Sequence, residues 1–166
     1  VGKKLIGIGK VNPTHPEQWQ FVDRPIAIKQ FFGADHGLSA EGAQVSYLLP
    51  VGFFSQVELG YWIPAAHEEE AGAEAHGVEY SNRILSGRLW NGFELSDKQE
   101  LELGFNYLLG NAMASSEESQ QAVLGGDLKF HIELNANQVL TLQTEYFQAN
   151  YGEDGEARAE QSGGYL

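Results

Sequence analysis

The chain has 166 residues, 42% of them hydrophobic and 20% charged, which suits one folding unit better than two domains. Its 23 acidic and 10 basic residues give a formal net charge of -13, so a nucleic-acid backbone would repel the chain at long range. No stretch approaches the roughly 18 consecutive apolar residues of a transmembrane helix, which excludes a helical membrane protein. A β-barrel stays open, because barrel strands carry a weaker hydropathy signal.

The first part of the chain predicts a strand over residues 3–11 and then a long connection over residues 12–39. Within this connection, residues 25–33 predict a short helix, with a proline in its first turn and a glycine after its end. So many apolar residues need a place to be buried, and we expect the connection to fold into a barrel lumen. A helix that lies across the barrel mouth without affecting passage is an equal alternative. The constriction would be formed by Asp23, Arg24, Ile26, Phe31 and Phe32.

Further along the chain, six segments alternate apolar and polar residues with a period of two. Successive side chains of a strand point to opposite faces, so each segment shows one face to an apolar phase and the other to water. Most of these segments have about 9 to 15 residues, longer than ordinary globular strands and long enough to cross a bilayer when tilted. They cover residues 43–49, 55–63, 85–95, 100–109, 122–135 and 139–150.

The connections between these segments alternate in length. Short links at residues 50–52, 96–98 and 135–137 alternate with long ones at residues 12–39, 64–82, 110–119 and from 152 onward. Tight periplasmic turns opposite longer extracellular loops give this order, and aromatic residues gather near the strand ends, as at membrane interfaces. The pattern therefore predicts an all-β, antiparallel up-and-down transmembrane β-barrel of about eight strands. It would be one domain over residues 1–166, either a small closed barrel or a fragment of a larger one.

The polar side of the alternation carries most of the charge. Charged residues that line a pore set its ion selectivity, and six carboxylates against two fixed positive charges predict a preference for cations. The alternative is an interior filled by salt bridges that stabilise a narrow barrel. The predicted pore-lining residues are Glu58, Arg88, Glu94, Glu102, Asp127, Lys129, His131, Glu133 and Glu145.

One long loop has the residue types of a metal site. His67, Glu70 and His76 carry imidazole and carboxylate groups that suit zinc and similar divalent ions, although a solvated acidic loop explains them as well. Enzyme chemistry has no support in the sequence, since no nucleophile has a partner base and neither a phosphate loop nor a cysteine cluster occurs.

The residues Gly9, Lys10, Val11 and Asn12, followed by residues 15–19 and 21–25, resemble a family of proteobacterial outer-membrane proteins. This family is labelled porin-like or zinc-regulated TonB-dependent outer-membrane receptor. The resemblance covers most of the chain, is most specific over residues 9–50, and implies an outer-membrane barrel with a link to metal ions. A TonB-dependent receptor also needs an N-terminal plug domain, which the sequence does not show.

Three functions follow as hypotheses. The first is a porin-like channel that gives small solutes or cations a polar path. The second is a metal-binding or TonB-dependent-like receptor, and the third is a soluble β-barrel binding protein. The first two imply outer-membrane lipid as a partner and leave a homo-oligomer open.

Overall fold

The computed structural model describes residues 1–18, 25–32, 37–64, 80–114, 117–152 and 159–165. Within these ranges the chain forms a short 3-10 turn, Pro16–Gln18, and one α-helix, α1, Ile26–Phe32. The helix lies inside the predicted range, and no helix in the described ranges is long and apolar enough to span a membrane. The strands are β1 Gly2–Leu5, β2 Ser39–Leu48, β3 Phe54–Pro64, β4 Tyr80–Ser96, β5 Gln99–Ala114, β6 Glu117–Asn135, β7 Gln138–Gly152 and β8 Ala159–Tyr165.

All eight strands belong to one sheet. Each strand pairs antiparallel with the next one along the chain, and the order runs linearly from β1 at one edge to β8 at the other. The prediction of an all-β, antiparallel up-and-down sheet is therefore confirmed. The links β2–β3, β4–β5 and β6–β7 are short and lie at one end of the sheet, here called the turn end, and the opposite end is called the loop end.

The predicted first strand is wrong beyond Leu5. β1 ends there, and residues 6–12, here called the inner segment, leave the sheet and cross one of its faces. Gly9 has φ of 64°, in the left-handed region that favours glycine, so the chain turns where a continuous strand was expected.

The predicted connection over residues 110–119 is also wrong. β5 and β6 stay paired from Asn111 with Gln120 to Ala114 with Glu117, which reduces the connection to residues 115–116. Polar and small residues in this stretch favoured a loop. Strand pairing does not need alternation where both faces are polar, so the periodic signal ends before the strands do.

The two faces of the sheet differ in the residues that they expose. On one side, here called the apolar face, large apolar side chains are between 43% and 71% exposed. These are Val45, Leu59, Ile63, Leu85, Phe105, Tyr107, Leu124, Leu142 and Tyr146. The other side, here called the polar face, carries charged residues that are buried at its centre and exposed near the turn end. Large exposed apolar patches are typical of surfaces that contact another protein or a membrane.

The buried core lies on the polar face, where the inner segment and α1 pack. Phe31 and Phe32 of α1 are 2% and 4% exposed, and both contact the ring of Phe147 on β7. The ring centroids of Phe32 and Phe147 are 5.1 Å apart in an edge-to-face arrangement. The helix therefore covers the same side of the sheet that holds the buried charges.

Candidate functional site: the polar face and its inner segment

The centre of the polar face is a buried charged cluster on three neighbouring strands. Arg88 on β4 lies directly opposite Asn106 on β5, and Asp127 on β6 lies two rows closer to the turn end, opposite Gly104. Arg88 Nη2 donates to Asp127 Oδ1 at 3.0 Å, and Asn106 Nδ2 donates to Asp127 Oδ2 at 2.8 Å. The three residues are 8%, 4% and 5% exposed, so each charge depends on its neighbours instead of water.

This cluster binds the backbone of the inner segment. Arg88 Nη1 donates to the carbonyl of Gly9, and the Gly9 amide donates to Asn106 Oδ1 at 3.0 Å. On β7, Glu145 Oε1 accepts the amides of Lys10 and Val11 at 3.0 and 2.9 Å. Since a buried backbone amide without a partner is costly, these contacts hold the segment against the face.

Lys10 extends the cluster towards the turn end. Its Nζ lies 2.6 Å from Glu102 and 3.6 Å from Asp127, and Lys129 lies 3.5 Å from Glu102. The indole of Trp90 donates to Glu102 at 3.0 Å. Counting Arg88 and Glu145, the centre holds three cations and three carboxylates. It is therefore balanced in formal charge, as in the salt-bridged alternative.

The far end of the inner segment is anchored by Asn12, which is fully buried. Its Nδ2 donates to the carbonyls of Ile6 and Leu38 at 2.9 and 3.2 Å, and its Oδ1 accepts the Leu38 amide at 2.9 Å. One side chain thus ties together the start of the segment, its end and the residue before β2. The segment is a defined structural element.

The register places all nine predicted pore-lining residues on the polar face. Arg88, Asp127 and Glu145 are buried, whereas Glu94 and Glu133 are exposed at the turn end. His131 Nδ1 lies 3.2 Å from the Thr141 hydroxyl. The imidazole of His131 is therefore within hydrogen-bonding distance of a neighbouring side chain.

Other predicted site residues lie partly outside the described ranges. Phe31 and Phe32 are buried on the polar face, and Ile26 is the first residue of α1. The described ranges leave out Asp23 and Arg24, and also the predicted metal ligands His67, Glu70 and His76. Among the residues that the structure describes, no three His, Asp or Glu side chains form a group that could hold a metal ion.

Sequence reasoning missed several residues of this site. Lys10 and Asn106 were not assigned to it, although both take part in the central cluster. Asn106 follows the same alternation as Glu102 and was overlooked because it is uncharged. Glu100 lies opposite Glu94 and His131 and also belongs to the polar face. Lys10 gave no periodic signal, because its position depends on the turn at Gly9.

An open cleft of about 410 Å³ lies beside the inner segment. Four cationic side chains and one carboxylate line it, together with an indole ring and several amide side chains. The charged lining residues are Lys4, Lys10, Arg88, Lys129 and Glu58, and Trp90, Gln44 and Gln143 complete much of the wall.

Comparison with known proteins gives one informative match. The chain is similar to an uncharacterized protein of Aquifex aeolicus strain VF5. The two are 27% identical over an alignment of 164 residues, gaps included, and the alignment covers 88% of this chain. The match covers 34% of that protein, so the chain spans about a third of its relative's length. No profile of a known protein family matches the chain, and no solved structure matches it. These comparisons carry no activity over to the chain.

Proposed function

We propose that this chain forms part of the wall of an outer-membrane β-barrel and gives small solutes a polar path along its polar face. The observation that carries the proposal is the reversed exposure of the two faces. Val45, Leu59 and Phe105 are 71%, 63% and 59% exposed, while Arg88 and Asp127 on the other face are 8% and 5% exposed. A bilayer would cover the first face, and water and the inner segment would cover the second.

The course of the apolar band across the sheet supports a membrane as the covering phase. Val57 on β3 and Tyr146 on β7 lie in the same row of paired residues. On β3 the exposed apolar positions extend from this row towards the loop end, as far as Ile63. On β7 they extend towards the turn end, as far as Leu140, and Gln148 follows on the loop side. The band therefore runs obliquely, as a flat bilayer does across tilted strands.

The short links give the same tilt. Counted along the strands from the row of Val57 and Tyr146, the midpoints of the links β2–β3, β4–β5 and β6–β7 lie about five, eight and ten residues away. This distance grows by roughly 2.5 residues from one hairpin to the next. If the three links lie at the same membrane depth, the strands must be tilted by about 40°, because each residue rises by about 3.3 Å and neighbouring strands are about 4.8 Å apart. Strands of transmembrane barrels tilt by about 35–45°.

The inner segment and α1 would narrow the path, because both occupy the polar face. We do not extend the proposal to the cation preference expected from six carboxylates and two cations. Lys4, Lys10 and Glu100 also lie on this face, so seven carboxylates stand against four cations, and at the centre of the face the two charges balance.

Site-directed spin labelling tests the membrane assignment directly, because the chain has no cysteine. In the full-length protein in lipid vesicles, a nitroxide at Leu124→Cys should be accessible to oxygen and protected from a water-soluble nickel complex. A label at Gln143→Cys, on the polar face, should show the reverse. Equal nickel accessibility of both labels, with the protein monomeric without detergent, would favour a soluble binding protein instead.

If the apolar face lies in lipid, the cost of placing an arginine on it should depend on the depth of the position in the bilayer. Leu128 lies near the middle of the apolar band on β6, and Leu134, which is 58% exposed, lies at the irregularity next to the turn end. Leu128→Arg should lower the free energy of unfolding from lipid by about 2–4 kcal/mol, and Leu134→Arg by about 0–1 kcal/mol. Urea titration in vesicles measures both values. Equal losses in the two variants would place the bilayer elsewhere.

A further inference from the structure

The cleft beside the inner segment has a charge that the rest of the chain does not lead one to expect. The chain carries a net charge of -13, yet four cationic side chains and one carboxylate line this cleft. Behind the wall, Glu102 is shared by Lys10 and Lys129, and Asp127 is shared by Lys10 and Arg88. With Glu145 counted as well, four cations stand against four carboxylates, but three of these carboxylates lie behind the wall, so the side chains that face the cleft are mostly cationic.

The cationic side chains of the cleft are held in place by the fold. The side chain of Lys10 is 11% exposed and that of Arg88 is 7% exposed, so both have lost most of their water. Lys4 donates to the amide oxygen of Gln44 at 2.8 Å, which leaves its charge uncompensated by that partner. Electrostatic interactions in such a partly enclosed site are stronger and less screened by salt than those at a surface.

The remaining lining suits the body of an organic molecule. Trp90 offers an aromatic surface, although Lys10 already lies 5.3 Å from its ring centroid. Gln44 and Gln143 add amide donors and acceptors, and Val11 and Pro13 add apolar area. The volume of about 410 Å³ lies within the range of small-molecule sites.

From these features we infer that the cleft binds small organic anions, with the carboxylate of the ligand held between Lys4 and Lys129. This inference rests on the proposed function, in which solutes pass along the polar face, and names the class of solute that pauses there. Glu58, which accepts a hydrogen bond from Gln56 at 2.7 Å, opposes the binding of an anion.

Calorimetric titration of the full-length protein in detergent with gluconate, and with sorbitol as a neutral open-chain polyol of the same length, tests the inference. Gluconate should bind and sorbitol should not. Lys4→Gln and Lys129→Gln should each weaken gluconate binding about tenfold at low salt, the cost of removing one charge-assisted contact. Glu58→Gln should strengthen it by several fold, and Lys98→Gln, in the exposed β4–β5 link, should leave it unchanged.

Three results would overturn the inference: no gluconate binding, equal binding of sorbitol, or equal losses in the Lys98→Gln and Lys129→Gln variants. Inorganic phosphate that binds as tightly as gluconate would overturn the organic class, because charge alone would then explain recognition. Failure here is distinguishable from failure of the proposed function. Spin labels can place the apolar face in lipid whether or not the cleft binds an anion.

Discussion

Replacing Arg88 by methionine should lower the free energy of unfolding by about 3–5 kcal/mol, the usual cost of removing one partner from a buried ion pair. Asp127 would keep Asn106 and a longer contact of 3.6 Å to Lys10, but would lose its closest cation. The carbonyl of Gly9 would lose its donor as well. Urea titration of the protein in lipid vesicles measures the loss.

Two variants control this experiment. Arg83→Met replaces the same residue type on the same strand at an exposed position and should change the stability by less than about 0.5 kcal/mol. Arg88→Met introduced into an Asp127→Asn background should cost less than in the native protein, because the carboxylate that it orphans is already neutral. Additive losses in the double variant would show that the two side chains are not coupled.

The strand pattern and its two faces were predictable because they depend on one local property. Alternation over residues 122–135 assigns Asp127, Lys129 and His131 to one face before any contact is known, and the register agrees. The ends of the strands were harder to predict. Around Asn111 and Gln120 the alternation fades although the pairing continues, because backbone hydrogen bonds do not depend on which side chains flank them.

The centre of the site was less predictable, because it depends on contacts between distant parts of the chain. Glu145 binds the amides of Lys10 and Val11 across about 135 residues of sequence. No local pattern indicates that residues 6–12 leave the sheet, so the segment looked like the rest of a strand. Glu145 was therefore assigned to the correct face but given the wrong neighbours, with open water expected where the inner segment lies.

The polar path should widen when the inner segment no longer packs on the polar face. A single substitution at Gly9 should be enough to prevent this packing. Its φ of 64° strains any residue with a side chain, and a Cβ there would clash with Glu145 and Phe147. Gly9→Val should therefore displace the segment from the polar face. Single-channel conductance in planar bilayers should rise by about twofold or more, since pore width sets the polar path available to solutes.

The control for this variant is Gly52→Val in the β2–β3 link, where an added Cβ meets no atom within 4 Å. Its conductance should match that of the native protein. Far-UV circular dichroism should show that both variants keep the sheet, so that a change in current reports on the segment. A folded Gly9→Val protein with native conductance would mean that solutes pass outside the space that residues 6–12 occupy. The inner segment would then be a structural brace of the sheet, because Arg88 and Glu145 would hold it without affecting passage.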